Sequence, residues 1–527
     1  MMSMKICRLL LICFALNYSS LRAQTMPLDT SAILPSYAIL LPYQTIWTNS
    51  GNAAGLTKDS ILIFGSTSLR YQQINGNYKL AQQAQRNQQL NFETERYLPL
   101  GKSLFYGRFS YTQQWEKQIK LSDVLDPYRG TPYLWADSIG GNWKKQLYTL
   151  ELKASSPALL NKKIHLGLSA DLNVATGARQ NDPRPLSTNN QIKVSPALLW
   201  NIASKHTLGL NGIYERYRED ISMETKNANV NHRIYRFLGM GQMELPTTFV
   251  TSASRVYEGQ WLGANIQYHL KAKNIDWLNN LGYKSGDEEV AEGNSIPRKS
   301  GTWKQTSYSF ASQINLKNEK YQHRFSIDLR RLQDTGVEFH EIYDATTKTW
   351  QTILEADFYI ANTDYAQFTY TFIKKKSALD FSWLTEGGVN YLAVDKNYVV
   401  PVSIQEISNA EVWLRGLKNL KLGVNLLHIG ARLGYSKNLS QSLHFIPITA
   451  DRTLIAREVL YPDHGYLSTD FFTASANLQY NFKLPKAKDT QFFVRSAYTL
   501  QQNINTPIYG SVDGQRHFFN VGLGAFY

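Results

Sequence analysis

The sequence predicts an all-β fold, a transmembrane antiparallel up-and-down barrel of about 18 strands, with 14 to 18 as the range. Three observations carry that expectation. Apolar and polar residues alternate with a period of two over long stretches. Aromatic residues make up 13% of the 527 residues, yet the mean hydropathy is only −0.35. Short polar breaks alternate with long ones along most of the chain. Strands facing lipid on one side and a wet lumen on the other give such alternation and average the hydropathy away. Beyond the N-terminus no stretch approaches the roughly 18 unbroken apolar residues of a membrane helix.

The first element is an export signal, residues 1–23. Lys5 and Arg8 form its positive region, Leu9 to Leu16 its apolar core, and Leu21-Arg22-Ala23 a cleavage site before Gln24. Cys7 and Cys13, the only cysteines, both lie inside it. The mature chain therefore has no thiol for disulfides, nucleophilic catalysis or metal ligation. Ile12 before Cys13 is too large for lipoprotein cleavage. Loss of Lys5, Arg8 and Arg22 lowers the formal charge from +14 to +11. Lys and Arg are dispersed, which excludes nucleic acid as a partner and suits membrane lipid and the phosphates of surface glycolipid.

Residues 24–58 are too irregular for strands, with Pro27, Pro35, Pro42 and the small-residue run Asn49 to Leu56. They read as a periplasmic or luminal plug-like segment ahead of a barrel over 59–527. The first strand is expected over Ile61 to Gln73. Ile164 to Val174 shows the period directly, with Ile164, Leu166, Leu168, Ala170, Leu172 and Val174 on one face. In Phe472 to Leu484 the other face reads Thr473, Ser475, Asn477, Gln479, Asn481 and Lys483.

Short turns are expected near residues 99–102, 157–162, 202–205, 272–275, 317–320, 374–376, 416–419 and 485–489. Longer connections fall at about 119–143, 180–190, 218–258, 286–301, 334–361, 396–405, 438–469 and 504–513. Arg233 to Leu238 falls inside one of these loops. Short periplasmic turns opposite long external loops are the asymmetry of an outer-membrane barrel, which places the chain in the outer membrane of a Gram-negative bacterium. Tyr480, Phe482, Phe492, Phe381 and Trp383 sit at strand ends, as a girdle does.

Facing inward by the same alternation are Arg324, Asp328, Arg330, Asp380, Glu386, Arg415, Arg432 and Arg495. Opposed charges there either line a constriction or pair with one another. His165 and His269 also face the lumen, without an acid and a serine evident beside them, so no catalytic residue is assigned and an enzyme is not expected. His340-Glu341 with Asp344, and Asp463-His464, read as solvated loop pairs, and neither a metal nor a cofactor site is assigned. The external loop with Tyr128, Arg129, Tyr133 and Trp135 gathers aromatics and charge as recognition surfaces do.

The last strand, His517 to Tyr527, places Phe519, Val521, Leu523, Ala525 and Tyr527 on one face. With Asn520, Gly522 and Tyr527 it resembles the signal read by the barrel assembly machinery, departing from it at Ala525. Pairing of this strand with Ile61 to Gln73 would close the ring.

On these residues the mature chain resembles an uncharacterised family of Bacteroidota outer-membrane β-barrels. The resemblance implies a companion of TonB-dependent receptors and surface lipoproteins, and it transfers no site residues. The segment Gln24 to Lys58, with Gly51 to Leu56, is loosely similar to the luminal hatch of outer-membrane fatty-acid transporters. Two readings follow: passage of a small solute, as a channel or as an accessory to nutrient or iron uptake, or a non-conducting barrel that docks a receptor or lipoprotein through its loops.

Overall fold

The computed structural model describes residues 34–527 except 60, 228, 250, 294, 295, 488, 511 and 513, so the export signal lies outside the described residues. One 18-stranded antiparallel sheet closes on itself, running from Gly65–Gly76 to Gln515–Phe526. The closing register pairs Ser66 with Phe526, Leu69 with Leu523 and Gly76 with Arg516. Sequence neighbours pair all round the ring, as an up-and-down barrel requires.

The period-two pattern decides which way each strand faces. Leu262, Ile266, Leu281, Leu414, Leu433 and Leu523 point outward and are exposed, forming an apolar belt that water would not tolerate over such an area. Asn211, Gln267, Asn315 and Gln322 point inward and are buried. The protein is a β-barrel of the outer membrane. No helix among the described residues is long and apolar enough to cross a membrane.

Several expected boundaries move. The first strand begins at Gly65 rather than Ile61. The turn expected at 416–419 lies at Gly423-Val424, since Gly416 sits within the strand Ser403–Leu422 and Gly423 takes the left-handed φ of +61°. Four expected long connections are mostly strand. Arg184 resumes pairing just after Arg179, and Arg298 follows Glu292 closely. Ser403 follows Tyr398, and Tyr321–Asp344 pairs with Thr349–Lys375 almost to its tip. Above the membrane both sheet faces are wet, so hydrogen-bonded pairing continues after the apolar alternation has ended. Phe381, expected in the girdle, turns inward and is buried because the ladder shifts register at Lys374/Lys375, while Trp383 remains exposed. Tyr480, Phe482 and Phe492 stack in sequence, with ring centres 5.9 and 6.0 Å apart.

At the seam, Tyr527 and Gly65 exchange backbone hydrogen bonds of 3.0 and 2.7 Å, and Phe526 packs 4.9 Å from Phe493. Removing Phe526 and Tyr527 should lose about 3–5 kcal/mol of seam packing and lower the yield of heat-modifiable, folded barrel in membranes. A truncated chain that folds at full yield would exclude this closing role.

Candidate functional site

Two sets of residues pack against the inside of the barrel, one toward each end. At the short-turn end lies the hatch, a helix Leu34–Gln44 followed by a 3₁₀ turn Ala53–Thr57. Pro35 falls in the helix's first turn, where no N–H is missed. Asn52 caps the 3₁₀ turn by accepting from the Ala54 amide at 3.1 Å. The hatch touches walls on every side. Leu34 and Tyr37 pack with Tyr97, Tyr106 and Phe526, while Leu40 packs with Ile373 and Leu417, and Trp47 with Leu199 and Leu278. So short a segment can meet all of these strands only from inside the ring.

Polar contacts then fix its position. Tyr43 donates to Glu386 at 3.0 Å, and Glu386 is held by Arg415 at 2.7 Å. The Gln322 amide and Arg324 guanidinium donate to the carbonyls of Tyr43 and Pro42 at 2.7 and 2.6 Å. The Trp47 indole donates to His269 Nδ1 at 3.3 Å, and His269 Nε2 meets Asp276 at 2.5 Å. Both ring nitrogens of His269 therefore serve the anchorage of the hatch. Asn52 Nδ2 donates to Gln267 at 3.0 Å, and Thr57 lies 3.0 Å from His165.

Asp59 ties the hatch to itself. Its carboxyl accepts from the amides of Ile46, Trp47 and Thr48 at 3.3, 2.9 and 3.0 Å. Enclosure of the carboxyl outweighs those donors, and the nearby charge of Asp276 adds to it, so Asp59 is pushed from 3.8 up to about 7. A carboxyl whose value rises on folding contributes stability that is complete below its ordinary value and is lost as pH climbs through the folded one. Hatch seating should thus weaken between about pH 4 and 7, read as faster proteolysis of residues 34–58, and Asp59→Asn should flatten that dependence. Equal cleavage at pH 5 and 8 in both proteins would count against it.

At the other end, the connections 120–140, 225–251 and 446–470 fold inward as a cover. Trp135–Asp137, Gln242–Met243 and Thr247–Phe249 each pair with the strand His232–Gly239, forming a small sheet. The run Arg233 to Leu238, expected as loop, is thus strand within the cover. Tyr133 donates to the Val337 carbonyl at 2.7 Å, and Tyr257 on the wall donates to the Tyr133 carbonyl at 2.8 Å. Tyr133 and Trp135 have no solvent exposure, which makes them the core of the cover instead of a recognition surface. Arg179 lies between Asp123, at 2.9 Å, and Asp137, all three fully buried.

Between hatch and cover lies a chamber of about 750 Å³. Tyr128 and Arg129 line it. Arg129 grips Glu288 through two bonds of 2.6 and 2.7 Å and lies 4.6 Å over the Tyr217 ring. The Tyr128 hydroxyl meets both carboxyl oxygens of Asp463 at 3.3 Å and accepts from the Gln82 amide at 2.9 Å. Burial pushes Asp463 up to about 6. Lys145 pairs with Glu116 at 2.7 Å, and Lys284 with Glu215 at 3.0 Å. These four residues carry no signal in sequence beyond the alternation that turns them inward.

The inward charges divide between hatch and wall. Arg324, Glu386 and Arg415 hold the hatch, and Asp380, which falls in the turn before Phe381–Tyr398, accepts at 2.6 Å from Asn419, which also donates to Ser36. Asp328 pairs with Arg330 at 2.8 Å and Arg432 with Glu411 at 3.2 Å, while Arg495 lies over the Phe493 ring. Among the described residues no group of three or more His, Cys, Asp or Glu could hold a metal ion.

Fold and inner packing together define the class, an outer-membrane β-barrel with segments of its own chain folded against the inside of the wall. The chain belongs to DUF6850, a family of unknown function, which matches residues 53–527. No curated protein matches it. Among solved structures it is similar to BauA, the ferric preacinetobactin receptor from Acinetobacter baumannii, at 7% identity and a TM-score of 0.41, covering 88% of this chain and 80% of that one. It is similar to the RagAB peptide transporter at 8% identity and a TM-score of 0.40, covering 88% and 86%. A third is the outer membrane transporter YddB from Escherichia coli, at 8% and 0.37, covering 88% and 80%.

Proposed function

We propose that the protein is a gated barrel for the passage of a small solute across the outer membrane, shut at rest by the hatch. The observation that carries this reading is the chemistry of the hatch. It is a short stretch of chain seated by the packing of Leu34, Tyr37, Leu40 and Trp47 and by individually modest hydrogen bonds, inside a wall whose ring of strands is complete without it. A plug of this kind is removable, and a wall lined by amides and paired charges stays wet once it leaves.

Planar-bilayer conductance tests this reading. The full-length mature protein should be silent, deletion of 24–58 should give flickering currents, and shortening the connection 225–251 as well should give a steadily open pore. Silence in all three would refute passage.

A second reading, a barrel that docks a partner receptor or surface lipoprotein, draws support from the outer hairpin, where Ile342, Tyr343, Ile353 and Leu354 are all exposed. Either role accords with an accessory to TonB-dependent uptake.

A further inference from the structure

We infer that the chamber between hatch and cover is a binding site for a short, neutral oligosaccharide. This deepens the passage reading by naming its cargo, while its test measures binding alone, so either can fail without the other.

Size comes first. A volume of about 750 Å³ is that of a small-ligand site, since such sites run from about 300 to 1,000 Å³. Charge comes second. Each cation on the lining is already satisfied inside the wall: Arg129 by Glu288, Lys145 by Glu116, Lys284 by Glu215. Arg516 donates to the carbonyls of Gly76 and Ala84 at 2.7 and 2.9 Å. Of the lining charges only Asp126, exposed and bonded to the Tyr128 amide at 2.9 Å, and Arg516, whose guanidinium is spent on those carbonyls, lack an opposite charge. The other cations are committed to carboxylates, so an anionic ligand would have to break an existing pair.

What the chamber does offer is neutral hydrogen bonding beside aromatic surface. Asn87, Gln114, Thr149, Gln191 and Gln501 are half-buried on its wall and, between them, both donate and accept. Gln114 gives one N–H to Glu116 at 2.6 Å, and Gln191 one to Glu215 at 2.7 Å. Those bonds orient the side chains while the rest of the amide group stays available, Gln191 oxygen taking only a 3.4 Å contact from Asn173. Tyr128, Tyr217, Tyr466 and Phe518 are also half-buried on the lining. Sugars match both features, because their hydroxyls pair with amides and their C–H faces lie on aromatic rings. An apolar ligand would instead leave the amides without partners.

The lining tryptophans Trp143, Trp261 and Trp303 supply the readout. Full-length protein in detergent is titrated, following tryptophan fluorescence, with maltotriose, cellotriose, xylotriose and triacetylchitotriose, and separately with trialanine and trigalacturonate. Saturable binding of at least one neutral trisaccharide is expected, weakened tenfold or more in Gln114→Leu and in Tyr466→Leu and unchanged in Thr352→Ala on the outer hairpin. Variants are first shown to be heat-modifiable, so loss of binding is not loss of fold. Three results would each overturn the inference: no neutral trisaccharide saturates, trialanine or trigalacturonate binds more tightly, or folded Gln114→Leu and Tyr466→Leu bind like the parent.

Discussion

Arg179→Ala should release the cover while leaving the barrel folded. The guanidinium sits between Asp123 and Asp137 and also donates to the Pro183 carbonyl at 2.7 Å. Its loss leaves two buried carboxyls without their cation, a change that costs about 3–5 kcal/mol at buried ion pairs. Burial and the charge of Asp137 already hold Asp123 well above the usual carboxylate range, and the arginine is the cation that opposes this. The loss is local, because Asp123 and Asp137 belong to the connection 120–140 and Arg179 ends the strand Ile164–Arg179. Limited proteolysis should therefore cut 120–140 in the variant and spare it in the parent, with heat-modifiability retained. Adding Asp123→Asn and Asp137→Asn should restore part of the protection, since neutral groups do not demand a cation. A cover equally resistant in Arg179→Ala would show that the ion pairs are incidental to closure.

Gly167→Val should unseat the hatch without touching the lipid face. A Cβ on Gly167 would lie 2.1 Å from the Ala54 amide nitrogen and 2.6 Å from the Ala53 carbonyl carbon. Both are backbone atoms, so no side-chain rotation can relieve the clash. The 3₁₀ turn must leave, taking with it the contacts of Asn52 to Gln267 and of Thr57 to His165. In a bilayer this single substitution should reproduce the currents of the protein lacking 24–58. A silent Gly167→Val beside a conducting deletion would mean that the hatch reseats around the added bulk.

Much of this architecture was legible in the residues, and the limits of legibility are physical. Alternation identified the ring, because lipid punishes an exposed polar side chain on every second residue, and the need to close that ring identified the pairing of the terminal strand with the first. Above the membrane that penalty vanishes. Residues 334–361, the outer parts of Tyr321–Asp344 and Thr349–Lys375, accordingly read as a long loop when they are mostly paired strand. Gly416 misled for a related reason: a glycine marks a turn only where φ is positive, and here that is Gly423. The cover was opaque. Tyr133 and Trp135 carry the composition of a recognition loop, and only the three-dimensional meeting of loops distant in sequence turns them into a core. Residues 34–58 show in sequence only as an irregular stretch with small residues, because their partners on the wall are scattered from Tyr97 to Phe526.

The outer hairpin has a bearing on life outside the cell. Strands of 24 and 27 residues rise about 3.3 Å per residue, so the longer measures roughly 90 Å along its length, against an apolar band about 25 Å tall. Even tilted, the tip carrying Ile342 and Tyr343 stands well clear of the bilayer, among the outermost sugars of the cell surface. Antibodies and phage tail fibres approaching the bacterium would meet this mast before any other part of the chain. Whatever approaches from outside therefore meets this hairpin first, while the chamber lies far below it.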